Sequence, residues 1–204
     1  MMKVLDLFSG LGGWSQAFKD RGHEVITYEL YSKFNPDVCC DIMDVDSLPD
    51  ADVILASPPC NKFSCMTIGR YWIDGKPKPE TKESIKLVIH TLKLISDVVP
   101  KFWILENPMG MMRKILGNPP LTVYYAQFGE DRLKPTDLWG RLPNGLNEFV
   151  IKDRSLLEYT KCPRGSKVGG TQGMSNGPER AKIPYQLSLK VCKLCENGIR
   201  EVLK

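Results

Sequence analysis

Histidine is scarce in this chain, and long apolar runs are absent. Two histidines occur among 204 residues, and we expect a catalytic role for neither His23, before a predicted strand, nor His90, inside a predicted helix. No apolar stretch approaches the ~20 residues that a transmembrane helix needs. The chain begins MMKVLDLFSG, which enters a predicted strand at once and lacks the apolar segment of a signal peptide. These absences predict a cytoplasmic protein that does not associate with membranes.

An even number of cysteines is also lacking. Seven cysteines, in a chain without an export signal, favour reduced thiols over a disulfide framework. The net charge is only +4, but it is unevenly distributed. Residues 1–131 carry 14 Lys/Arg against 17 Asp/Glu, a net charge of −3, whereas residues 132–204 carry 14 against 7, a net charge of +7. The basic C-terminal third could face phosphate groups, or it could be a solvated surface.

Short apolar runs alternate with helical patterns along most of the chain. Helices are expected over Ser84–Val99 and Tyr185–Leu203. Loops are expected over residues 65–82, where the chain should be mobile, and over the glycine-rich segment Cys162–Lys182. The alternation predicts an α/β fold with a parallel, doubly wound sheet. Its six predicted strands are Lys3–Phe8, Glu24–Tyr28, Val38–Cys40, Val53–Ala56, Phe102–Leu105 and Leu121–Ala126.

Cys60 and Glu106 follow two of these strands directly. Cys60 comes after the apolar run Val53–Ala56, which Pro58 and Pro59 end abruptly, and Glu106 ends the run FWIL. Ligands of open α/β sheets bind at the carboxyl ends of strands. A thiol and a carboxylate there suit nucleophilic attack on a ring that must also be held and protonated, although a free cysteine can equally be a packing residue.

Glycines separate the first strand from the first helix in DLFSGLGG (Asp6–Gly13). The spacing is not the dinucleotide pattern G-x-G-x-x-G, so we do not predict pyrophosphate binding. Glu29, which closes the second strand, is placed to accept hydrogen bonds from ribose hydroxyls. Asp41, after the third, could hold an adenine amino group. Tight turns with solvated acids are the alternative explanation.

Four motifs in this order resemble a known family. DLFSGLGG, SPPCNKFS, ENP and the segment Met174–Cys192 are similar to motifs of the cytosine-C5 methyltransferases that use S-adenosylmethionine, especially the compact phage-type DNA cytosine methylases. The resemblance implies a seven-stranded Rossmann-like, doubly wound α/β sheet with a very small C-terminal recognition region. It divides the chain into a catalytic domain (1–140), a basic recognition region (141–182) and a C-terminal helix (183–204) that returns to the catalytic domain. It also implies that the C-terminal motif Met174–Cys192 returns to the cofactor pocket.

The resemblance also implies which residues bind the cofactor. Phe8, Ser9, Gly10 and Leu11 correspond to the loop around its methionine part, in the motif that also contains Asp6 and Gly12. Glu29 corresponds to the acid on the ribose, Leu30 or Tyr31 to the contact on the adenine face, and Asp41 with Ile42 to the adenine edge. Pro59, before the nucleophile, completes the predicted pocket.

The implied chemistry uses Cys60 and Glu106 together. A Cys60 thiolate adds to C6 of cytosine, which makes C5 nucleophilic, while Glu106 holds the N3 atom and the amino group. The partner is DNA with the target base flipped out of the helix. We expect a monomer in the cytoplasm of a bacterial, archaeal or virus-infected host cell.

One family motif differs in this chain. The family's Gln-x-Arg-x-Arg run corresponds here to QFGEDRLKPTDLWG (Gln127–Gly140), in which Arg132 and Lys134 could supply the cations. Asp137 stands where the last arginine would fall. Asn61 follows Cys60 where many members have glutamine, and the recognition region is short.

Several alternatives remain open at this point. The same chemistry could act on RNA or on a free cytosine nucleotide, or the chain could be a silent binding protein, which Asp137 would favour. Amino-methyltransferases also carry a motif like SPPC, but they need an aromatic residue where Cys60 stands. We predict no metal site: Cys192 and Cys195 are expected to pack in the core, as are Cys39 and Cys40.

Overall fold

The computed structural model describes residues 1–151, 153–159 and 177–202. The strands are β1 (Lys3–Leu7), β2 (Glu24–Glu29), β3 (Val38–Cys39), β4 (Val53–Ala56), β5 (Trp72–Ile73), β6 (Lys76–Pro77), β7 (Phe102–Pro108), β8 (Leu121–Tyr124) and β9 (Pro135–Arg141). The helices are α1 (Ser15–Asp20), α2 (Ile68–Tyr71), α3 (Lys82–Val98), α4 (Arg113–Leu116), α5 (Gly177–Ala181) and α6 (Tyr185–Val202). No helix within these ranges is both long and apolar enough to cross a membrane.

Seven strands form one sheet in the order β3-β2-β1-β4-β7-β9-β8, and β5 pairs with β6 in a separate hairpin. The pairs from β3 to β7 are parallel, whereas β9 is antiparallel to both of its neighbours. The predicted doubly wound α/β fold is therefore confirmed, but the prediction that the sheet is parallel throughout is wrong for β9. The connection 125–134 is too short for the crossover that a parallel neighbour of β8 would need.

The order of strands determines where a ligand can bind. The chain proceeds outward from β1 to β2 and β3 on one side, and returns through β4 to β7 on the other. Helices leaving β1 and β4 therefore lie on opposite faces, and a crevice opens between the carboxyl ends of these two strands.

Both faces of the sheet are covered by helices. Successive residues of a strand point to opposite faces, so Val53 and Leu55 of β4 pack in one core cluster with Leu187 of α6. Ile54 packs in a second cluster with Leu94 of α3. All four residues of β4 are fully buried, which explains why the strand is an unbroken apolar run.

The segment after Cys60 is ordered, contrary to the prediction of a mobile loop over residues 65–82. It forms a short 3-10 helix, α2 and the β5–β6 hairpin. The anchor is Trp72, which is buried, packs against Phe63 and donates a hydrogen bond from Nε1 to the Lys62 carbonyl at 2.6 Å. Burial of the Trp72 indole helps to fix a segment whose sequence otherwise predicts only turns.

Two further predictions were wrong in part. Gly177–Ala181 forms α5 within the segment predicted as a loop. Residues 162–176 of that segment, like Leu203 of the last predicted helix, lie outside the described residues. Cys39 is exposed and Cys40 half-buried rather than core, because β3 is the edge strand of the sheet.

The C-terminal part of the chain returns to the loop after β1. A Cβ atom on Gly13 would lie 2.5 Å from the backbone nitrogen of Ile183, so no larger residue fits at this close approach. Ser188 of α6 donates a hydrogen bond to the Trp14 carbonyl. The segment between α5 and α6 therefore borders the crevice, as the resemblance implies for the C-terminal motif.

Candidate active site

A cavity of about 1350 Å³ occupies the crevice at the carboxyl ends of β1, β2, β4 and β7. The loop after β1 forms one wall with Phe8, Ser9, Gly10 and Leu11. Phe8 has a φ of +63°, a conformation that costs a non-glycine residue energy and that tends to occur at functional sites. The loop is closed by a hydrogen bond from the Ser9 amide to the Tyr28 carbonyl at 3.0 Å.

Glu29, at the end of β2, joins this loop to the next. One carboxylate oxygen accepts the Gly10 amide at 3.0 Å and the other accepts the Tyr31 amide at 3.2 Å. Each oxygen has a further lone pair, and the side chain lines the cavity. Leu30 and Tyr31 lie beside it, half or more exposed.

Asp41 and Ile42 line the cavity next to the end of β3. The Asp41 carboxylate caps a short 3-10 helix by accepting the Met43 amide at 2.9 Å. Ile42 is buried and packs in the core cluster beneath. The wall thus offers two carboxylates with free lone pairs and several apolar side chains. These hydrogen-bond acceptors fit a nucleoside, whose ribose hydroxyls and amino group are donors.

Asp6 lies behind the loop and not among the residues that line the cavity. It is fully buried, and Oδ2 accepts a hydrogen bond from Ser15 Oγ at 2.5 Å. Oδ1 has no partner among the described residues. Burial raises the pKa of Asp6 to about 7. Asp6 therefore links β1 to α1, and Gly12 likewise lies outside the lining.

This raised pKa predicts a pH-dependent stability. Because the folded state binds the Asp6 proton more tightly than the unfolded state, stability is highest at low pH and falls as the pH rises through 7. We expect the Asp6 contribution to fall by about 2 to 3 kcal/mol between pH 5 and pH 8. Asp6→Asn keeps an acceptor for Ser15 and should remove this decrease, as measured by urea unfolding at both pH values. An equal decrease in both proteins would contradict the assignment.

Cys60 and Pro59 lie at the cavity wall formed by the end of β4. The Cys60 carbonyl accepts the amides of Phe63 and Ser64, which closes a turn. Burial raises the pKa of the Cys60 thiol, the Glu106 carboxylate raises it further, and the Lys134 ammonium lowers it. The Lys134 ammonium group is therefore close enough to the thiol to favour its thiolate form.

Glu106 lies on β7, the strand next to β4, and is 4% exposed. Burial raises the pKa of its carboxyl group, against the effects of Lys134 and of hydrogen bonds from Ser57 and Tyr125. The next residue, Asn107, donates from Nδ2 to the Pro58 carbonyl at 2.9 Å. This bond attaches the end of β7 to the segment that carries Cys60, so the thiol and the carboxyl group are held together.

Lys134 completes this half of the cavity. Its Nζ donates to the Arg180 carbonyl at 2.9 Å and to the Tyr125 hydroxyl at 3.0 Å. Burial lowers the pKa of Lys134, whereas Glu106 and Cys60 favour its charged form. Of the four predicted catalytic residues, the structure thus brings together Cys60, Glu106 and Lys134.

Comparison with known proteins identifies the family of this chain. A model of a family described as C-5 cytosine-specific DNA methylase matches residues 2–128, which is more than half of the chain. This chain belongs to that family. The family predicted from the four motifs is confirmed, and its description names the activity that they predict.

Individual relatives are similar over nearly the whole chain. A Fusobacterium nucleatum protein named type II methyltransferase M.FnuDI is 30% identical over 97% of this chain, which spans only 55% of that relative. A Frog virus 3 protein named "Probable DNA (cytosine-5)-methyltransferase" is 32% identical over 95% of this chain and 100% of its own length. The solved structure of the Entamoeba histolytica methyltransferase EhMeth has a TM-score of 0.49 at 15% identity, covering 80% of this chain and 58% of that one.

Arg132 does not reach the cavity of this family member. It is 6% exposed and donates to the Glu130 carboxylate at 3.1 Å and to the carbonyls of Glu179 and Arg180 at 3.3 and 3.2 Å. Its guanidinium group therefore holds α5 in place. We predicted Arg132 from the sequence as a catalytic cation, but it is not among the residues that line the cavity with Cys60.

Asp137 has a structural environment. It is fully buried on β9, and its two carboxylate oxygens accept hydrogen bonds from Arg113, both at 2.6 Å. Thr122 on β8 donates to it at 2.7 Å. Asp137 is not among the residues that line the cavity. Asp137, the residue that favoured a silent binding protein, thus forms an ion pair with Arg113 that connects α4, β8 and β9.

A cluster of potential metal ligands lies at the end of the sheet opposite to the cavity. His23, Cys192 and Glu196 have their ligand atoms within 4.8 Å of one another. However, Arg21 donates to both oxygens of Glu196, at 2.8 and 2.7 Å, and His23 Nδ1 accepts the Met2 amide. The Glu196 carboxylate is thus already paired with Arg21, and His23 Nε2 lies 3.0 Å from the same carboxylate. Cys192 and Cys195 are both fully buried, which confirms the prediction that they pack in the core.

Sequence reasoning missed three residues of the site. Trp14 Nε1 donates to Ser57 Oγ at 3.0 Å, and Ser57 in turn bonds to Glu106. Tyr125 Oη contacts Lys134 and Glu106. Ser57 was visible as the first residue of SPPC, but Trp14 and Tyr125 read as ordinary core aromatics, and no local pattern distinguishes them.

Proposed function

We propose that this protein transfers a methyl group from S-adenosylmethionine to C5 of cytosine in DNA. The observation that carries the proposal is the convergence of Cys60, Glu106 and Lys134 at one end of a cavity whose other end carries Glu29 and Asp41. A nucleophile, a proton donor and a cation are thereby adjacent to a nucleoside-shaped site.

The residues around Glu29 would hold the cofactor, which when bound supplies an electrophilic methyl group. Glu29 would accept hydrogen bonds from the ribose hydroxyls, with Leu30 and Tyr31 against the adenine face. Asp41 and Ile42 would meet the adenine edge. The loop Phe8–Leu11 and Pro59 would enclose the methionine part, in the same cavity that Cys60 lines.

Cys60 and Glu106 would activate the cytosine ring. The Cys60 thiolate adds to C6 while Glu106 gives its proton to N3, so the negative charge that would develop on the ring is neutralised. C5 would then attack the methyl carbon of the bound cofactor, the bond between that carbon and sulfur would break with its electron pair left on sulfur, and S-adenosylhomocysteine would be the leaving group. Removal of the C5 proton by a base expels the thiolate, and the N3 proton returns to Glu106, which restores both residues.

The electrostatics of the site suit these roles. Burial raises the pKa of Glu106 and so favours the protonated form that N3 requires. Lys134 lowers the pKa of Cys60 and so favours the thiolate, against the opposing effect of burial. Glu106 without its proton would raise the pKa of Cys60, so a neutral Glu106 also assists the thiolate.

DNA as the substrate fits the exposed cations on the segment after Cys60 and the basic excess of the C-terminal sequence. Arg70 and Lys76 are exposed on the segment that follows Cys60, and residues 132–204 carry a net charge of +7. Phosphate groups are the partners that such surfaces bind. The cavity is a pocket below this surface, so a cytosine in duplex DNA would have to leave the base stack to reach Cys60.

Incubation with labelled S-adenosylmethionine tests the substrate class. We expect label at cytosine C5 in duplex DNA, and little or none in RNA of the same sequence or in deoxycytidine monophosphate. Transfer to RNA or to the free nucleotide instead of DNA would identify the alternative substrate. No transfer to any of the three, in a protein that binds the cofactor by calorimetry, would refute the proposed function.

A further inference from the structure

The phenol group of Tyr125 connects the two charged groups of the proposed catalytic site. Tyr125 follows β8 directly and is fully buried. Its Oη accepts a hydrogen bond from Lys134 Nζ at 3.0 Å and lies 3.5 Å from Glu106 Oε1, to which it donates. The Lys134 ammonium group also lies 4.1 Å from the centre of the ring. One residue that belongs to none of the four motifs thus contacts both partners of Cys60.

From this geometry we propose that Tyr125 is a positioning residue, whose hydroxyl group holds Glu106 and Lys134 in a fixed relation to each other and to Cys60. The inference rests on the proposed function and extends it to a residue outside the cavity lining. Tyr125 does not touch the base. It acts through the carboxyl group that does.

The direction of the two hydrogen bonds follows from the groups involved. A lysine ammonium has donors only, so the Tyr125 oxygen must accept from Lys134, and the Thr136 hydroxyl also bonds to the phenol. The single phenol proton is directed to Glu106 Oε1. Burial and the nearby Glu106 raise the pKa of Tyr125 well above its ordinary value, so the phenol keeps this proton. The separation of 3.5 Å from Glu106 is long, and such contacts shorten when the substrate binds.

Ser57 provides a second contact that fixes the orientation of the Glu106 carboxyl group. Ser57 bonds to Glu106, and Trp14 Nε1 donates to Ser57 Oγ at 3.0 Å. The Glu106 carboxyl group is therefore held by hydroxyl groups from two different elements, one after β4 and one after β8. Two such contacts restrict its rotation, so that its proton remains directed towards the cavity rather than towards the core.

Removal of the hydroxyl group alone tests the proposal. Tyr125→Phe keeps the buried ring, and Tyr124→Phe is the matched control because this neighbour is half-buried and does not line the cavity. Each change is also made in a Glu106→Gln background. The first measurement is the pH dependence of Cys60 alkylation by iodoacetamide, followed by mass spectrometry of the Cys60 peptide, without cofactor or DNA.

We expect Tyr125→Phe to move the alkylation profile of Cys60 to lower pH. Without the phenol hydrogen bond, Glu106 keeps its proton to higher pH, and less negative charge then opposes the thiolate. The shift should be absent in the Glu106→Gln background and in Tyr124→Phe. An unchanged profile, or a shift that persists in full with Glu106→Gln, would overturn the proposal.

The second measurement is methyl transfer to DNA. Tyr125→Phe should lower kcat roughly tenfold, the effect of losing one hydrogen bond to an ionisable group, with KM for the cofactor unchanged. The decrease should disappear in the Glu106→Gln background, and an unaltered kcat would contradict the proposal. If the wild-type protein transfers no methyl group, the proposed function fails, whereas the alkylation profiles still decide the role of Tyr125.

Discussion

Cys60→Ala is expected to reduce methyl transfer to DNA by roughly 10³-fold or more, because loss of the nucleophile removes the step that makes C5 reactive. The measurement is single-turnover transfer of label from S-adenosylmethionine. Cys65→Ala is the matched control, since Cys65 lies at the same cavity, is exposed, and donates only to the Met109 carbonyl. We expect the control to retain activity within about threefold, as surface substitutions usually have small effects.

A covalent complex provides a second readout for Cys60. Fluorine at C5 of cytosine cannot be removed as a proton is, so the adduct between the thiol and C6 should persist with 5-fluorocytosine DNA. Wild-type protein and Cys65→Ala should form this complex, and Cys60→Ala should not. A complex with Cys60→Ala, or full transfer activity in that variant, would show that another group is the nucleophile.

Arg113→Met is expected to destabilise the fold by about 3 to 5 kcal/mol. Asp137 is fully buried, and Arg113 donates to both of its oxygens, so the substitution leaves an uncompensated charge between β8 and β9. The free energy of unfolding in urea measures the effect. Most of the loss should be recovered in Arg113→Met combined with Asp137→Asn, because a neutral amide can still accept the Thr122 hydroxyl.

The ion pair between Arg113 and Asp137 also accounts for the aspartate that this chain has in place of the last arginine of the family motif. If Asp137 were a degenerate catalytic position, Arg113→Met would cost less than about 1 kcal/mol, the value for a surface ion pair. Such a small loss would contradict the structural role. Asp137→Arg should likewise unfold the protein rather than improve catalysis, since a second guanidinium group would then face Arg113 in the interior.

Much of the fold was predictable because its signals are local. The runs at β1, β2, β4 and β7 are apolar and end at glycine, proline or a carboxylate, and each was predicted within about three residues. β9 was missed because its residues, PTDLWGR, alternate in no simple way. Residues 136–139 are nevertheless buried, since β9 lies between β7 and β8, and only pairing with both neighbours makes this segment a strand.

The site likewise contains residues whose role a local motif indicates and residues whose role only the folded chain reveals. Cys60 and Glu106 were recognised because each follows a strand in a short motif, and parallel strands bring their carboxyl ends together. The roles of Arg132 and Lys134 were inferred together, yet only Lys134 faces the cavity. Residues two apart in an extended chain point to the same side, but Lys134 has a φ of +26°, so the chain is not extended at this point. Nothing local indicates this, or that α5 receives the Arg132 guanidinium group.

Cys60, its place after a strand and its family are thus properties of the linear chain, since they depend on residues adjacent in sequence. The environment that makes Cys60 chemically competent is not. Glu106 lies on β7, whereas Tyr125 and Lys134 lie at the two ends of the connection between β8 and β9, and their contact depends on how β7, β8 and β9 pair. Burial changes every pKa in this group, and burial exists only after the chain has folded. The tertiary structure alone therefore decided which charges act on the thiol.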